Sequence, residues 1–381
     1  MGQGMDLSAN TAQTRRATRL AFVVAGLVSA CWAPLVPLAK ARSGIAEGEL
    51  GLLLLCLGIG SLIAMPLTGW MSARAGARPM ILAGGAGLVL VLPLLAVLSA
   101  PLALAGALLL FGAALGTLDV AMNVHAVEVE RAAPRPLMSG FHAMFSLGGI
   151  IGAGGMVALL SLGLSAFGAT LVASVLSALA LGLAAPHFLR AQGGEPMPLA
   201  LPRGPVLLLA ALTAIVFLVE GAVLDWGALL AIGRGLVAPE GAGLGFMLFA
   251  SAMTAGRFLG DRVVLRFGAF RVLVAGGLCT IAGIALLLLT GAPVALAGFA
   301  LIGLGASNLV PVLFSLAGRQ TAMPAGLAIA AVTTTGYAGI LVAPAGIGYV
   351  AEATSLPAAF WMLAGFMALV PLCARAITRT D

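Results

Sequence analysis

Four ionisable residues are the candidates for positions deep within long apolar stretches of this chain: Asp119, His142, Glu220 and Asp225. In a low-dielectric interior an ionised side chain costs about 2.5–3.5 kcal/mol on insertion scales. Each of the four must therefore hold a partner or exchange a proton. Asp119 and Asn123 are spaced i, i+4, which puts them on one face of a helix. From the apolar stretch ending near residue 125, Asp119 is expected ~10 Å inside. His142 enters the next stretch from the same side, and imidazole changes charge readily near neutral pH. Glu220 is expected ~22 Å into its stretch, with Asp225 nearer the exit and ~140° further around the helix. Asp119 and Glu220 are the principal proton-carrier candidates, followed by His142 and Asp225. The remaining polar and aromatic groups within apolar stretches, Asn123, Asn308, Trp226, Trp32, Phe141, Thr334 and Tyr337, are the candidate solute contacts.

These residues stand out because so little else is polar. Of 381 residues, 61% are hydrophobic and 8% charged, against roughly 25% charged in soluble proteins. A water-soluble globule, a disordered chain and a nucleic-acid-binding domain are excluded, since none could be built with so little charge. Twelve apolar stretches are expected near 18–39, 49–72, 79–99, 101–125, 138–162, 165–188, 205–231, 241–262, 270–290, 293–316, 325–349 and 356–377. Each suits a helix of about 20 apolar residues, the length that spans a bilayer. A transmembrane barrel is excluded, because barrel strands alternate polar and apolar.

With a cytoplasmic N-terminus, 16 of the 19 Lys and Arg fall inside and three, Lys40, Arg42 and Arg234, fall outside. That asymmetry orients both termini to the cytoplasm, and it accounts for the net charge of +6 without a nucleic-acid partner. Absence of a deep Arg or Lys points to a neutral or weakly polar solute. His125 and His187 are expected at span ends, His125 in a solvated or interfacial setting. Cys31, Cys56, Cys279 and Cys373 show neither pairing nor metal-ligand spacing. No HExxH and no Gly-x-Ser-x-Gly pattern occurs, so no enzyme, metal or cofactor is expected.

A Pro/Gly-rich linker over 190–204 divides the chain into six-span halves, 1–189 and 205–381. Arg74, Gly76, Ala77, Ala83, Gly84 and Gly85 recur as Arg266, Gly268, Ala269, Ala275, Gly276 and Gly277, every match at an offset of 192. Parallel repeats of this kind build major facilitator transporters. The turns resemble that superfamily's loop signature, Gly-x-x-x-Asp-Arg-x-Gly-x-Arg. Gly69, Arg74, Gly76 and Arg78 match it in the first half, with Ala73 where the family has Asp. The second half shows Gly256-Arg257-Phe-Leu-Gly260-Asp261-Arg262. The resemblance implies a cytoplasmic gate at Gly69, Arg74, Arg78, Arg257, Asp261 and Arg262.

Gly116-Thr-Leu-Asp119-Val-Ala-Met-Asn123 is similar to the fourth-span pattern of the fucose:proton symporters, and Asn308-Leu-Val-Pro311 to their tenth span. That implies proton coupling through Asp119. Those symporters also carry an acid in span one, and span one here has only Trp32, Pro34 and Pro37 as notable residues, which points away from fucose itself. Proton-driven drug exporters carry Gly-Pro in span five, where this chain has Ala153-Gly154.

The expectation is thus an all-α membrane protein of twelve helices in two pseudo-symmetric bundles, a monomer in the bacterial inner membrane. Its partners are the lipid bilayer, a small solute such as a sugar derivative, and protons in symport. The alternative is a proton-driven antiporter exporting drugs or metabolites.

Overall fold

The computed structural model describes residues 10–45, 47–190, 203–238 and 243–379, and all of the regular structure described is helical. Residues 191–202, most of the expected linker, lie outside the described residues. In chain order the helices are α1 (Ala12–Ser43), α2 (Glu47–Ala75), α3 (Ala77–Leu95), α4 (Pro101–Arg131), α5 (Met138–Ser161), α6 (Ala166–Ala184) and α7 (Pro205–Gly233). They continue with α8 (Leu244–Leu289), α9 (Val294–Ala306), α10 (Leu309–Arg319), α11 (Ala325–Ala353), α12 (Leu356–Met367) and α13 (Leu369–Thr378). Among the described residues, eleven helical stretches are long and apolar enough to cross a membrane.

Three departures from the expected stretches have local causes. The stretches 241–262 and 270–290 form one 46-residue helix, α8, bent where Gly268 takes φ 77. Gly76 takes φ 79 at the α2–α3 turn, 192 residues earlier. Only a residue without Cβ adopts that conformation without strain. The stretch 293–316 is broken at Ser307–Asn308 into α9 and α10. Pro311, in the first turn of α10, lacks an N–H and its ring would clash with the carbonyl four residues back, at Ser307. Pro371 stands in the same relation to the break between α12 and α13. Several helices also run past their apolar stretches: α4 continues to Arg131, so Asp119 lies ~18 Å from that end rather than ~10 Å.

The chain forms two compact units. One comprises Met1–Pro134, Phe141–Leu201 and Met323–Thr334, the other Arg135–Gly140, Pro202–Ala322 and Thr335–Asp381. In the first unit, α4 packs on α2 and α3, and α1 on α6. Glycine makes the close approaches there. A Cβ at Gly26, Gly148 or Gly152 would strike main-chain atoms across the α1–α5 contact, and one at Gly60 or Gly112 would do so between α2 and α4. The Gly-rich run 148–155 thus brings helices together. In the second unit, α8 packs against α9, α12, α13 and α7.

Two of the three cations assigned to the outside are helix caps. Arg42 donates to the carbonyls of Leu95 (2.8 Å) and Leu98 (3.0 and 2.8 Å) at the end of α3. Arg234 donates to Leu287 and Thr290 at the end of α8. Donor and acceptors all recur at the offset of 192. Each guanidinium satisfies carbonyls that a helix end leaves open and lies at the negative end of its dipole.

Candidate functional site

The first unit holds buried polar side chains on α4 and α5. Asp119 is buried, ~27 Å from the start of α4 and ~18 Å from its end. Asn123 Nδ2 donates to the main-chain oxygen of Asp119 at 2.9 Å and to its Oδ1 at 3.4 Å. The i, i+4 spacing therefore brings these two side chains together. His142 is buried one turn into α5, edge-on to Phe22 at 5.3 Å. Phe141 stacks on Phe22 at 5.8 Å and is 1% exposed, so it belongs to the core. Trp32 Nε1, Asn123 Oδ1 and Thr334 Oγ1 are buried without a hydrogen-bond partner among the described residues.

The second unit holds a largely buried charge pair. Glu220 lies mid-way along α7, ~22 Å from Pro205 and ~20 Å from Gly233. Arg257 lies mid-way along the first arm of α8, ~20 Å from Leu244 and ~16 Å from Gly268. The matched depths bring Arg257 Nη2 within 3.9 Å of Glu220 Oε2, with the side chains 10% and 17% exposed. That separation is an ion pair but exceeds a hydrogen bond. Glu220 Oε1, Trp226 Nε1 and Asn308 Oδ1 are buried without a hydrogen-bond partner among the described residues. Asn308, at the break before α10, donates through Nδ2 to Gly256 O (3.1 Å) and Ser307 Oγ (2.9 Å). Asp225 is exposed, and Tyr337 packs edge-on to Phe217 at 6.2 Å.

Arg257 overturns the expectation that no cation lies deep in a span. It falls inside the apolar stretch 241–262, which is the signal that locates it, and α8 runs on beyond that stretch. Counting it among loop cations was the error. His125 is a second correction. It is 0% exposed, with Nε2 accepting the Leu189 N–H at 3.0 Å and Nδ1 3.2 Å from Thr18 Oγ1. Since Nε2 accepts, Nδ1 carries the proton and donates to Thr18, whose hydroxyl donates to Thr14 O. Membrane-edge position did not reveal this, because the partners come from α1 and from the chain beyond α6.

The remaining gate residues divide by unit. In the first, Gly69 faces Gly326 and Ala330 of α11, where a Cβ would collide with Ala330. Arg74 is exposed and stacks over Trp70 at 3.9 Å. Arg78 donates to Ala185 O at 3.1 Å, capping the end of α6. In the second, Asp261 Oδ2 accepts the Gly140 N–H at 3.0 Å, in the first turn of α5. A carboxylate there meets both an open N–H and the positive end of a helix. Arg262 is exposed.

Residues 19–321 match the model of the Major Facilitator Superfamily. An uncharacterised MFS-type transporter of Yersinia pestis is 51% identical over 366 residues, covering 95% of each chain. An uncharacterised transporter of Sinorhizobium fredii is 34% identical, covering 94% of this chain and 97% of its own. Among solved structures, the E. coli fucose:proton symporter superposes with a TM-score of 0.74 at 18% identity, covering 96% of this chain and 98% of that one. At that identity the likeness speaks to the fold alone.

Proposed function

Because the chain belongs to the major facilitator superfamily and is a multi-pass membrane transporter rather than an enzyme, we propose that it carries a small polar solute of the sugar-derivative kind in symport with protons. It does so as a monomer in the bacterial inner membrane, with both termini cytoplasmic. The observation that carries this reading is a carboxyl largely withdrawn from the surface in the middle of a long helix in each unit, Asp119 in α4 and Glu220 in α7. Buried acids of this kind mark proton relays and substrate paths. Asn123 and His142 in the first unit, and Asn308 and Trp226 in the second, bring hydrogen-bonding groups for the solute. Asn308 sits at a helix break, as solute and ion contacts of transporters commonly do.

The two halves are pseudo-symmetric repeats that exchange access to the solute. The shared offset of Gly76 and Gly268, and of the Arg42 and Arg234 caps, supports this reading. Asp261 holding the first turn of α5 is the gate contact that stabilises the outward-open state.

Proton entry into proteoliposomes, followed on adding members of a panel of sugars and sugar derivatives, tests the mechanism. Asp119→Asn and Glu220→Gln should each cut solute-driven proton uptake at least about tenfold, a barrier change near 1.4 kcal/mol. Normal coupling in both variants would sink it.

A further inference from the structure

The bend of α8 at Gly268 carries more than a turn between two helical arms requires. Arg262, Leu265, Arg266, Phe267, Phe270 and Arg271 are all exposed around it. Leu265 is 60% exposed, Phe267 47% and Phe270 43%. The Arg266 guanidinium lies over the Phe267 ring at 5.5 Å. Among the described residues no carboxylate pairs with Arg262, Arg266 or Arg271. The acids in helices α8 to α13 are Asp261, held at Gly140, and Glu352, in the last turn of α11.

The first half has the same bend without these additions. At the offset of 192, Gly76 repeats as Gly268 and Arg74 as Arg266. Ala73, Ala75, Arg78 and Pro79 stand where α8 has Leu265, Phe267, Phe270 and Arg271. Arg78, moreover, is engaged by the Ala185 carbonyl. The shared glycine makes the bend, and the shared arginine serves to mark the side of the membrane. Neither task calls for exposed Leu and Phe set between three arginines.

That composition suits a segment lying in a bilayer interface, with apolar side chains in the acyl boundary and cationic ends at the headgroups. The bend joins the apolar stretches 241–262 and 270–290, so it falls where two spans meet the headgroup layer. A guanidinium offers paired N–H donors that match phosphate oxygens. Cations without nearby acids favour an anionic headgroup over a zwitterionic one.

We propose that the α8 bend is a docking surface for anionic phospholipid. Arg262, Arg266 and Arg271 hold the phosphodiester headgroups, and Leu265, Phe267 and Phe270 enter the acyl boundary. With both termini in the cytoplasm, the leaflet is the cytoplasmic one. The docking is independent of what the protein carries.

The test is a titration of the purified full chain in detergent with dioleoyl-phosphatidylglycerol or dioleoyl-phosphatidylcholine, followed by the rise in unfolding temperature. Phosphatidylglycerol should act at the lower concentration, and added salt should narrow the gap. At roughly fivefold per arginine, R266Q/R271Q should raise the phosphatidylglycerol midpoint about 25-fold. R16Q/R19Q, which removes two exposed cations from α1, should leave that midpoint nearly unchanged. F267A/F270A should weaken the response to both lipids at every salt concentration. In nanodiscs of phosphatidylglycerol, wild-type amides over 262–271 should exchange more slowly than in nanodiscs of phosphatidylcholine, a measurement that needs no variant.

Equal midpoints for the two lipids overturn the proposal. So does an equal shift in R266Q/R271Q and R16Q/R19Q, which would leave the arginines as topology signals alone. Stabilisation by inorganic phosphate matching that by phosphatidylglycerol would mean an anion without a lipid, and it overturns the proposal too. The same holds for exchange over 262–271 that does not differ between the two nanodiscs. None of these outcomes touches the symport reading, which proton uptake in proteoliposomes decides separately.

Discussion

Asp119 and Glu220 each place a carboxyl near the middle of a long helix, and they differ in what meets it. Asp119 is met by an amide of its own helix, Asn123, one turn along. Glu220 is met by a guanidinium from another helix, Arg257. The first contact is set by the i, i+4 spacing of a single helix. The second ties a proton change at Glu220 to the fate of a cation. The difference separates an acid met within its own helix from one met across a helix pair.

The largest expected effect breaks the second arrangement. Arg257→Gln should cost about 3–5 kcal/mol of stability by stranding a buried carboxylate. Adding Glu220→Gln should recover most of that loss. Asp119→Asn, which keeps a polar group beside Asn123, should cost about 1 kcal/mol. Unfolding of the detergent-solubilised variants compares them, and equal losses at Arg257 and Asp119 would erase the contrast.

Next comes the packing beneath Arg257. Gly260→Ala would push a Cβ into Asn308 Oδ1 and Ser139. It should cost about 1–3 kcal/mol through overpacking and reduce transport. Gly154→Ala in the first unit has open space around it. It should leave both stability and transport unchanged within about 0.5 kcal/mol.

A smaller loss is expected at the helix end that Asp261 holds. Asp261→Asn keeps an oxygen near Gly140 but removes the charge. It should cost about 0.3–1 kcal/mol, with faster hydrogen exchange in the first turn of α5. Exchange unchanged at Gly140 would show that the carboxylate's charge does nothing there. The smallest effect should be at Arg42→Gln, about 0.3–1 kcal/mol for weakened capping of α3. Arg234→Gln should match it, and a large inequality would argue against equivalent roles for the two caps.

Much of this fold was legible because membrane helices obey one-dimensional rules. Apolar runs located the helices, the offset of 192 located the Gly76 and Gly268 turns, and Pro311 marks the break that puts Asn308 into irregular backbone. The Asp119–Asn123 contact was equally legible, since i, i+4 neighbours on a helix meet whatever surrounds them. Arg257 was misread because hydropathy assigns a residue to a stretch without assigning its depth or its face. His125 was misread because its hydrogen-bond partners, Thr18 and Leu189, lie far off in the chain.

The sequence by itself determined that this is a helical membrane protein, and which few residues are too polar to be there for packing alone. Backbone hydrogen bonds in lipid must close within each helix, so those facts follow from local composition and spacing. Only the tertiary structure decided the company each residue keeps: a cation opposite Glu220, an amide opposite Asp119, a main-chain N–H at His125, a helix end at Arg42 and Arg234. Such pairings depend on which helix faces which and at what depth. The same physics that makes a lone buried charge costly makes those neighbours decide its chemistry.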